Sequence, residues 1–268
     1  KKNLVMNRID LLFKRKQNDI LSVYFTAGHP EINSLAEILP ALENAGVDLI
    51  EIGMPFSDPI ADGPVIQKSS QTAISNGMSL KVLFEQLRNI EFNIPVILMG
   101  YLNPILQYGI ENFLISCKEA NVSGTIIPDL PLSQYLIQEE TFIRNNIHNI
   151  LLITPLSTDR RITDLAEKSR GFLYAVASSA TTGSSSFHNA DTSYFERIRS
   201  LNLKIPIIFG FGISCHADFI KACDWGSGAI IGSGFIKLLE HIESRKMDYT
   251  RTIADFVCRI KYGNSIQK

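Results

Sequence analysis

At 268 residues, 45% hydrophobic and 20% charged, the chain carries ample apolar material for a sizeable core, and its length fits one barrel-sized domain as well as two smaller ones. A net charge of −1 supplies no overall field for nucleic acid or an anionic membrane, and the short Lys14-Arg15-Lys16 cluster reads as a solvated helix end. The four cysteines (117, 215, 223 and 258) form no C-x-x-C pair, no apolar run reaches membrane-spanning length, and Lys1 to Arg8 lacks the apolar core of a signal peptide, so a cytoplasmic protein with reduced thiols is expected.

A helix over Leu4–Lys16 is expected first. Short β-rich apolar runs then recur at Leu21–Thr26, Val47–Gly53, Ile94–Gly100, Gly124–Pro128, Ile150–Thr154, Gly171–Ala177, Ile205–Gly210 and Gly228–Ile231. Between them the apolar spacing turns helical, at Leu35–Ala45, Val65–Ser75, Leu80–Asn89, Ile110–Ala120, Tyr135–Asn145, Arg161–Ser169, Tyr194–Ser200 and Ala217–Cys223. A helical stretch from Phe235 to about Lys261 closes the chain. Near-continuous apolar strands alternating with helices imply a parallel sheet covered by helices. Eight such units predict an α/β fold, a (β/α)8 TIM barrel with an additional N-terminal helix. An open doubly wound sheet competes, but it would carry its glycine loop near the first strand. Here the glycine pairs follow the last two strands. No linker-like stretch divides residues 1–268, so one domain is expected.

Barrel enzymes place their chemistry at the C-terminal strand ends. In the second strand Glu51 shares a face with Leu49 and Gly53, while Ile50 and Ile52 share the other. The apolar face suits the helices, so Glu51 is expected to point inward, where desolvation raises a carboxyl pKa toward that of a general acid. Buried carboxylates also occur in purely structural networks. The following loop holds Asp58 and Asp62 among prolines. Asp58 also fits a turn before Pro59, and Asp62 also fits a helix N-terminus ahead of Pro64. Gly210-Phe211-Gly212 and Gly232-Ser233-Gly234 end the last two strands, where barrels commonly bind phosphate through backbone amides and a helix N-terminus; a lone pair would fit a mere tight turn, and two pairs at these positions favour phosphate. Ser178 to Ser186 is small and polar, reading as a connection or a closing lid, and Thr182 offers it a hydroxyl. No lysine lies within a strand and the histidines do not cluster with acids, so neither a Schiff base nor a metal site is expected.

These segments resemble the tryptophan synthase alpha chain family nearly end to end. The run Glu51-Ile52-Gly53-Met54-Pro55-Phe56-Ser57-Asp58-Pro59-Ile60-Ala61-Asp62-Gly63-Pro64 agrees with the family signature throughout. Phe25-Thr26-Ala27-Gly28, Pro128-Asp129-Leu130-Pro131, Thr182-Gly183, Gly210 to Ser214 and Gly232-Ser233 match as well. The resemblance implies a lyase that cleaves indole-3-glycerol phosphate to indole and glyceraldehyde 3-phosphate in tryptophan biosynthesis. It implies Glu51 as the acid–base residue and Asp62 as the carboxylate at the indole N–H. It implies Tyr24, Met99, Ile126, Ile153, Tyr174, Thr182 and Phe211 around the substrate, and Gly183, Gly212, Gly232 and Ser233 at its phosphate. It implies no cofactor in this chain and a pyridoxal-phosphate beta chain as partner in an alpha2-beta2 assembly, contacted through Pro55, Asp58, Asn103 and Pro131. His29 before Pro30, Ser178 and Ala180 depart from the common pattern. A metal epimerase would need clustered histidines, and a triose-type isomerase a Glu near the sixth strand; both are missing. A catalytically weak barrel that only activates a beta chain is the remaining alternative.

Overall fold

Eight parallel strands close into a barrel in simple chain order, β1 pairing with β2 and so on round to β8, which pairs back with β1. The structure is a computed structural model that describes residues 6–176, 192–210 and 212–263. The strands are β1 (Ile20–Thr26), β2 (Leu49–Gly53), β3 (Val96–Met99), β4 (Gly124–Ile126), β5 (His148–Ile153), β6 (Leu173–Val176), β7 (Ile207–Gly210) and β8 (Gly228–Ile231). The expected TIM barrel is thus observed, with all eight strands within the expected runs or a residue or two of them.

Alternation along each strand divides the core in two. Ile20, Tyr24, Leu49, Ile97, Ile126, Ile150, Tyr174, Ile208 and Ile230 pack inside the barrel. Leu21, Val23, Ile50, Ile52, Leu98, Leu151, Ile153 and Phe209 pack outward beneath the helices. This period-two separation is what a closed parallel sheet requires.

The helices are α1 (Arg8–Arg15), α2 (Leu35–Asn44), α3 (Pro64–Ser75), α4 (Leu80–Arg88), α5 (Leu102–Tyr108), α6 (Ile110–Glu119), α7 (Leu132–Asn145), α8 (Asp159–Lys168), α9 (Ser193–Ser200), α10 (His216–Trp225), α11 (Ser233–Arg245) and α12 (Tyr249–Tyr262). Three differ from expectation. First, α1 begins at Arg8 because Asn7 caps it, its side chain accepting from the Ile9 amide at 2.8 Å. Ile9 and Leu12 then pack with the inner cluster and stopper the N-terminal end of the barrel. Second, α5 has no counterpart in the expected elements. It is seven residues long, with Pro104 in its first turn and Ile105 its one buried side chain, so it shows little periodicity. Third, the closing stretch is two helices. Lys246 takes a left-handed conformation (φ 48°) and ends α11, and Asp248 then caps α12 through the Arg251 amide. Among the described residues no helix is long and apolar enough to cross a membrane.

Candidate active site

Glu51 sits mid-strand in β2, beside Tyr24 of β1 in register, and is wholly buried at 0% exposure. Its Oε1 accepts a hydrogen bond from Ser22 Oγ at 2.9 Å, while Oε2 has no protein partner among the described residues. Ser22 lies on the inner face of β1, two residues before Tyr24. Burial pushes the Glu51 carboxyl pKa up to about 8, the Ser22 hydrogen bond opposing the rise. At neutral pH the group is therefore mostly protonated.

Asp62 stands at the end of the loop after β2, just ahead of the Gly63 cap of α3. Its carboxylate is not spent on that helix. Tyr101, two residues beyond the end of β3, donates its hydroxyl to Asp62 Oδ2 at 3.1 Å and accepts from the Ala61 amide at 3.0 Å. Gln67 Nε2 donates to the Asp62 carbonyl at 2.9 Å, and the Phe56 ring stacks on Tyr101 with centroids 4.9 Å apart. These contacts tie the loop to the barrel rim. Burial raises the Asp62 pKa to about 6, the Tyr101 hydrogen bond acting the other way.

A pocket opens over this rim, lined by Tyr24, Met54, Phe56, Asp62, Met99, Tyr101 and Pro128 among others. Two tyrosine rings shape the barrel mouth below. A Cβ at Gly53 would lie 2.1 Å from Tyr24 Oη, and one at Gly210 would lie 2.0 Å from Tyr174 Oη, so each ring occupies space that any other residue would fill. Burial pushes both hydroxyl pKa values upward. Asp62 adds to the rise at Tyr24, and Glu51 and Asp62 both add to it at Tyr174. The two tyrosines thus stay neutral between two carboxyl groups.

Round the mouth from Tyr24, β7 leads to Gly212, which holds a left-handed conformation (φ 78°), and β8 leads to Gly232 as the cap of α11 with Ser233 exposed in its first turn. The loop after β7 is pinned by Asp218 Oδ2, which accepts from Ser214 N (3.0 Å), Ser214 Oγ (2.9 Å) and Cys215 Sγ (3.3 Å). A helix N-terminus beside a glycine turn presents free amides to an anion.

The structure gathers Glu51, Asp62, Tyr24, Met99, Ile126 and Tyr174 at or inside the barrel mouth. Ile153 does not join them, because it packs outward under the helices with Leu151, while Ile150 and Leu152 pack inward. The inward position expected of Ile153 is taken by Leu152, one residue earlier and of opposite parity. Thr182, Gly183, Ser178, Ala180 and Phe211 lie outside the described residues. Asp58, Asn103 and Pro131 are exposed on loops and helix starts after β2, β3 and β4, and Pro55 is half-buried. Ser22, Tyr101 and Leu152 were not singled out in the sequence. The inward parity of Ser22 and Leu152, and the position of Tyr101 just past a strand end, were the available signals.

Residues 12–263 match the family model described as tryptophan synthase alpha chain. The chain is 52% identical over 238 residues to a tryptophan synthase alpha chain of Flavobacterium psychrophilum, covering 87% of this chain and 94% of that one. It is likewise 52% identical over 239 residues to one of Parabacteroides distasonis, covering 88% and 93%. Among solved structures, the tryptophan synthase subunit alpha of Legionella pneumophila str. Paris superposes with a TM-score of 0.85 at 29% identity, covering 96% of this chain and 98% of that one.

Proposed function

This chain belongs to the tryptophan synthase alpha chain family, and on that premise we propose that it cleaves indole-3-glycerol phosphate to indole and glyceraldehyde 3-phosphate, with Glu51 and Asp62 dividing the acid–base work. The observation that carries the assignment is Glu51: a wholly buried carboxyl in the barrel, held protonated near neutral pH.

The chemistry needs such a group. Glu51 donates its proton to indole C3, which makes the ring an electron sink. Asp62 accepts the indole N–H and stabilises the positive charge that develops there. The ionised Glu51 then takes the proton of the glycerol hydroxyl next to the ring. As the aldehyde forms, the C–C bond breaks and its electron pair returns to the ring, giving indole. One proton leaves Glu51 and one returns, so the group ends as it began. Asp62, with a pKa of about 6, is mostly ionised at pH 7, as its task requires.

Tyr24 and Tyr174 flank the indole in this reading, with Met99, Ile126, Leu152, Thr182 and Phe211 completing the pocket. Gly183, Gly212, Gly232 and Ser233 hold the phosphate, chiefly through backbone amides. The chain is one domain, works in the cytoplasm and uses no cofactor of its own. Its partner is a beta chain carrying pyridoxal phosphate in an alpha2-beta2 assembly, met through Pro55, Asp58, Asn103 and Pro131. The exposure of Asp58, Asn103 and Pro131, and of Ile60 at 90% on the same loop as Asp58, supports that surface.

The test is indole release from indole-3-glycerol phosphate by the purified chain, with and without a beta chain. Release is expected to be slow alone and faster with the partner. Glu51→Gln is expected to lose at least about 100-fold in turnover while remaining folded. Wild-type turnover in that variant would refute the role given to Glu51.

A further inference from the structure

The two oxygens of Glu51 stand in different surroundings. Oε1 accepts from Ser22 Oγ at 2.9 Å, and Oε2 has no protein partner among the described residues although it is fully buried. Ser22 is itself 0% exposed, on the neighbouring strand, and shares the inner face of β1 with Tyr24. Buried hydroxyls are as a rule hydrogen-bonded, and Ser22 donates to Glu51.

We propose that Ser22 is a positioning residue for the reaction: by donating to Oε1 it reserves that oxygen as an acceptor and confines the transferable proton of Glu51 to Oε2. The inference deepens the reading above and rests on it. In a neutral carboxyl group the carbonyl oxygen is the better acceptor and the other oxygen carries the hydrogen. A donor fixed at Oε1 therefore selects one of the two protonated forms. It also orients the carboxyl plane, because the bond holds one oxygen toward β1. Once the proton has left, the same bond stabilises the anion. Without Ser22 the proton would distribute over both oxygens, and the buried anion would lose the donor that Ser22 supplies. Tyr24 of β1 and Tyr174 of β6 interact electrostatically with Glu51, and Asp62 on the loop after β2 acts on both tyrosines, but no hydrogen bond from Tyr24 or Asp62 reaches the carboxyl.

The test reads Glu51 directly. In the infrared spectrum the buried protonated carboxyl gives a C=O band, assigned as the one that vanishes in Glu51→Gln, and its loss with rising pH reports the titration without any substrate. In Ser22→Ala the midpoint is expected about one unit higher than in wild type, since one hydrogen bond to a charged group has been removed. Ser22→Cys, of similar shape and a weaker donor, is expected to fall between the two. The kcat of indole release is expected to fall about tenfold in Ser22→Ala with KM unmoved, the alkaline limb of its pH profile shifting with the band. A serine that merely filled space would change stability and leave both titrations where they were. Coincident midpoints in wild type, Ser22→Ala and Ser22→Cys would overturn the proposal. Because the band is read without substrate, that outcome is separate from wild-type indole release by Glu51→Gln, which would remove the role of Glu51 and with it the reading on which Ser22 depends.

Discussion

A carboxyl buried inside a barrel is a burden on the fold, and Glu51 shows the size of the conflict. Its ordinary value is 4.5, and burial in the barrel pushes it up to about 8. The folded state therefore binds more protons than the unfolded state throughout that window. The sign follows: stability is greatest below the unfolded value and is lost as pH rises toward the folded one. The loss approaches about 1.4 kcal/mol per pH unit while the two states differ by a full proton. Asp62 adds the same sign between its ordinary value and about 6. Glu51→Gln removes the larger contribution. Its stability relative to wild type, from urea denaturation, is expected to rise steadily from pH 5 to pH 8. A stability difference that stays constant across that range would show that Glu51 ionises in the folded protein as readily as in the unfolded chain. The proposed role of a neutral acid at pH 7 would account for a polar residue in a strand that is otherwise apolar.

Among the elements, those with strong periodicity were the legible ones. The β–α alternation was plain because a period of two and a period of 3.6 look different in sequence. The break between α11 and α12 was hidden because the apolar spacing continues across it, and a left-handed Lys246 carries no sequence mark as a glycine would. The resemblance implies Ile153 at the pocket, and in β5 it is Leu152 that packs inward. Ile153 and Leu152 are equally apolar, and only closure of the barrel decides which one faces inward. The helix α1 illustrates an element whose role comes from packing. Asn7 is buried, donates to the carbonyls of Ser123 and Asn146 at 2.8 Å each, and caps the helix through the Ile9 amide. These bonds seat the Ile9 and Leu12 plug at the base of the barrel. Asn7→Ala removes all three and is expected to lower stability by about 2–4 kcal/mol. The urea midpoint should fall with the slope unchanged, and KM for the substrate should hold. A loss under about 0.5 kcal/mol, the range of an ordinary surface substitution, would mean that the plug seats itself by apolar packing alone.

Across the whole molecule, the proposed site and the fastening of the end helices lie at opposite ends of the barrel. Such a division is common in barrel enzymes, and here it rests on contacts between residues far apart in the chain. Tyr101 meets Asp62 across 39 residues and Ser22 meets Glu51 across 29, and no local pattern announces either pair. The most distant fastening is at the N-terminal end. Asp48, just before β2, accepts from Lys16 at 2.7 Å, from Lys261 at 3.2 Å and from the Leu21 amide at 3.0 Å. Lys16 caps α1 and Lys261 lies in the last turn of α12, so one carboxylate gathers both end helices onto the start of β1. The Asp48 and Lys261 side chains are 14% and 13% exposed, enough shielding for removal of the charge to matter. Asp48→Asn keeps the size and one acceptor but leaves two ammonium groups facing a neutral amide. The expected cost is about 1–3 kcal/mol, between the values for exposed and buried pairs. The site should not register it, because Asp48 precedes Glu51 by three strand residues, about 10 Å, and lies at the closed end. Thermal unfolding of Asp48→Asn is therefore expected at lower temperature, with kcat and KM for indole release unchanged well below that transition. If kcat instead fell in step with stability, the two ends of the barrel would be coupled, and the N-terminal clamp would have to be counted among the parts that hold Glu51 in place.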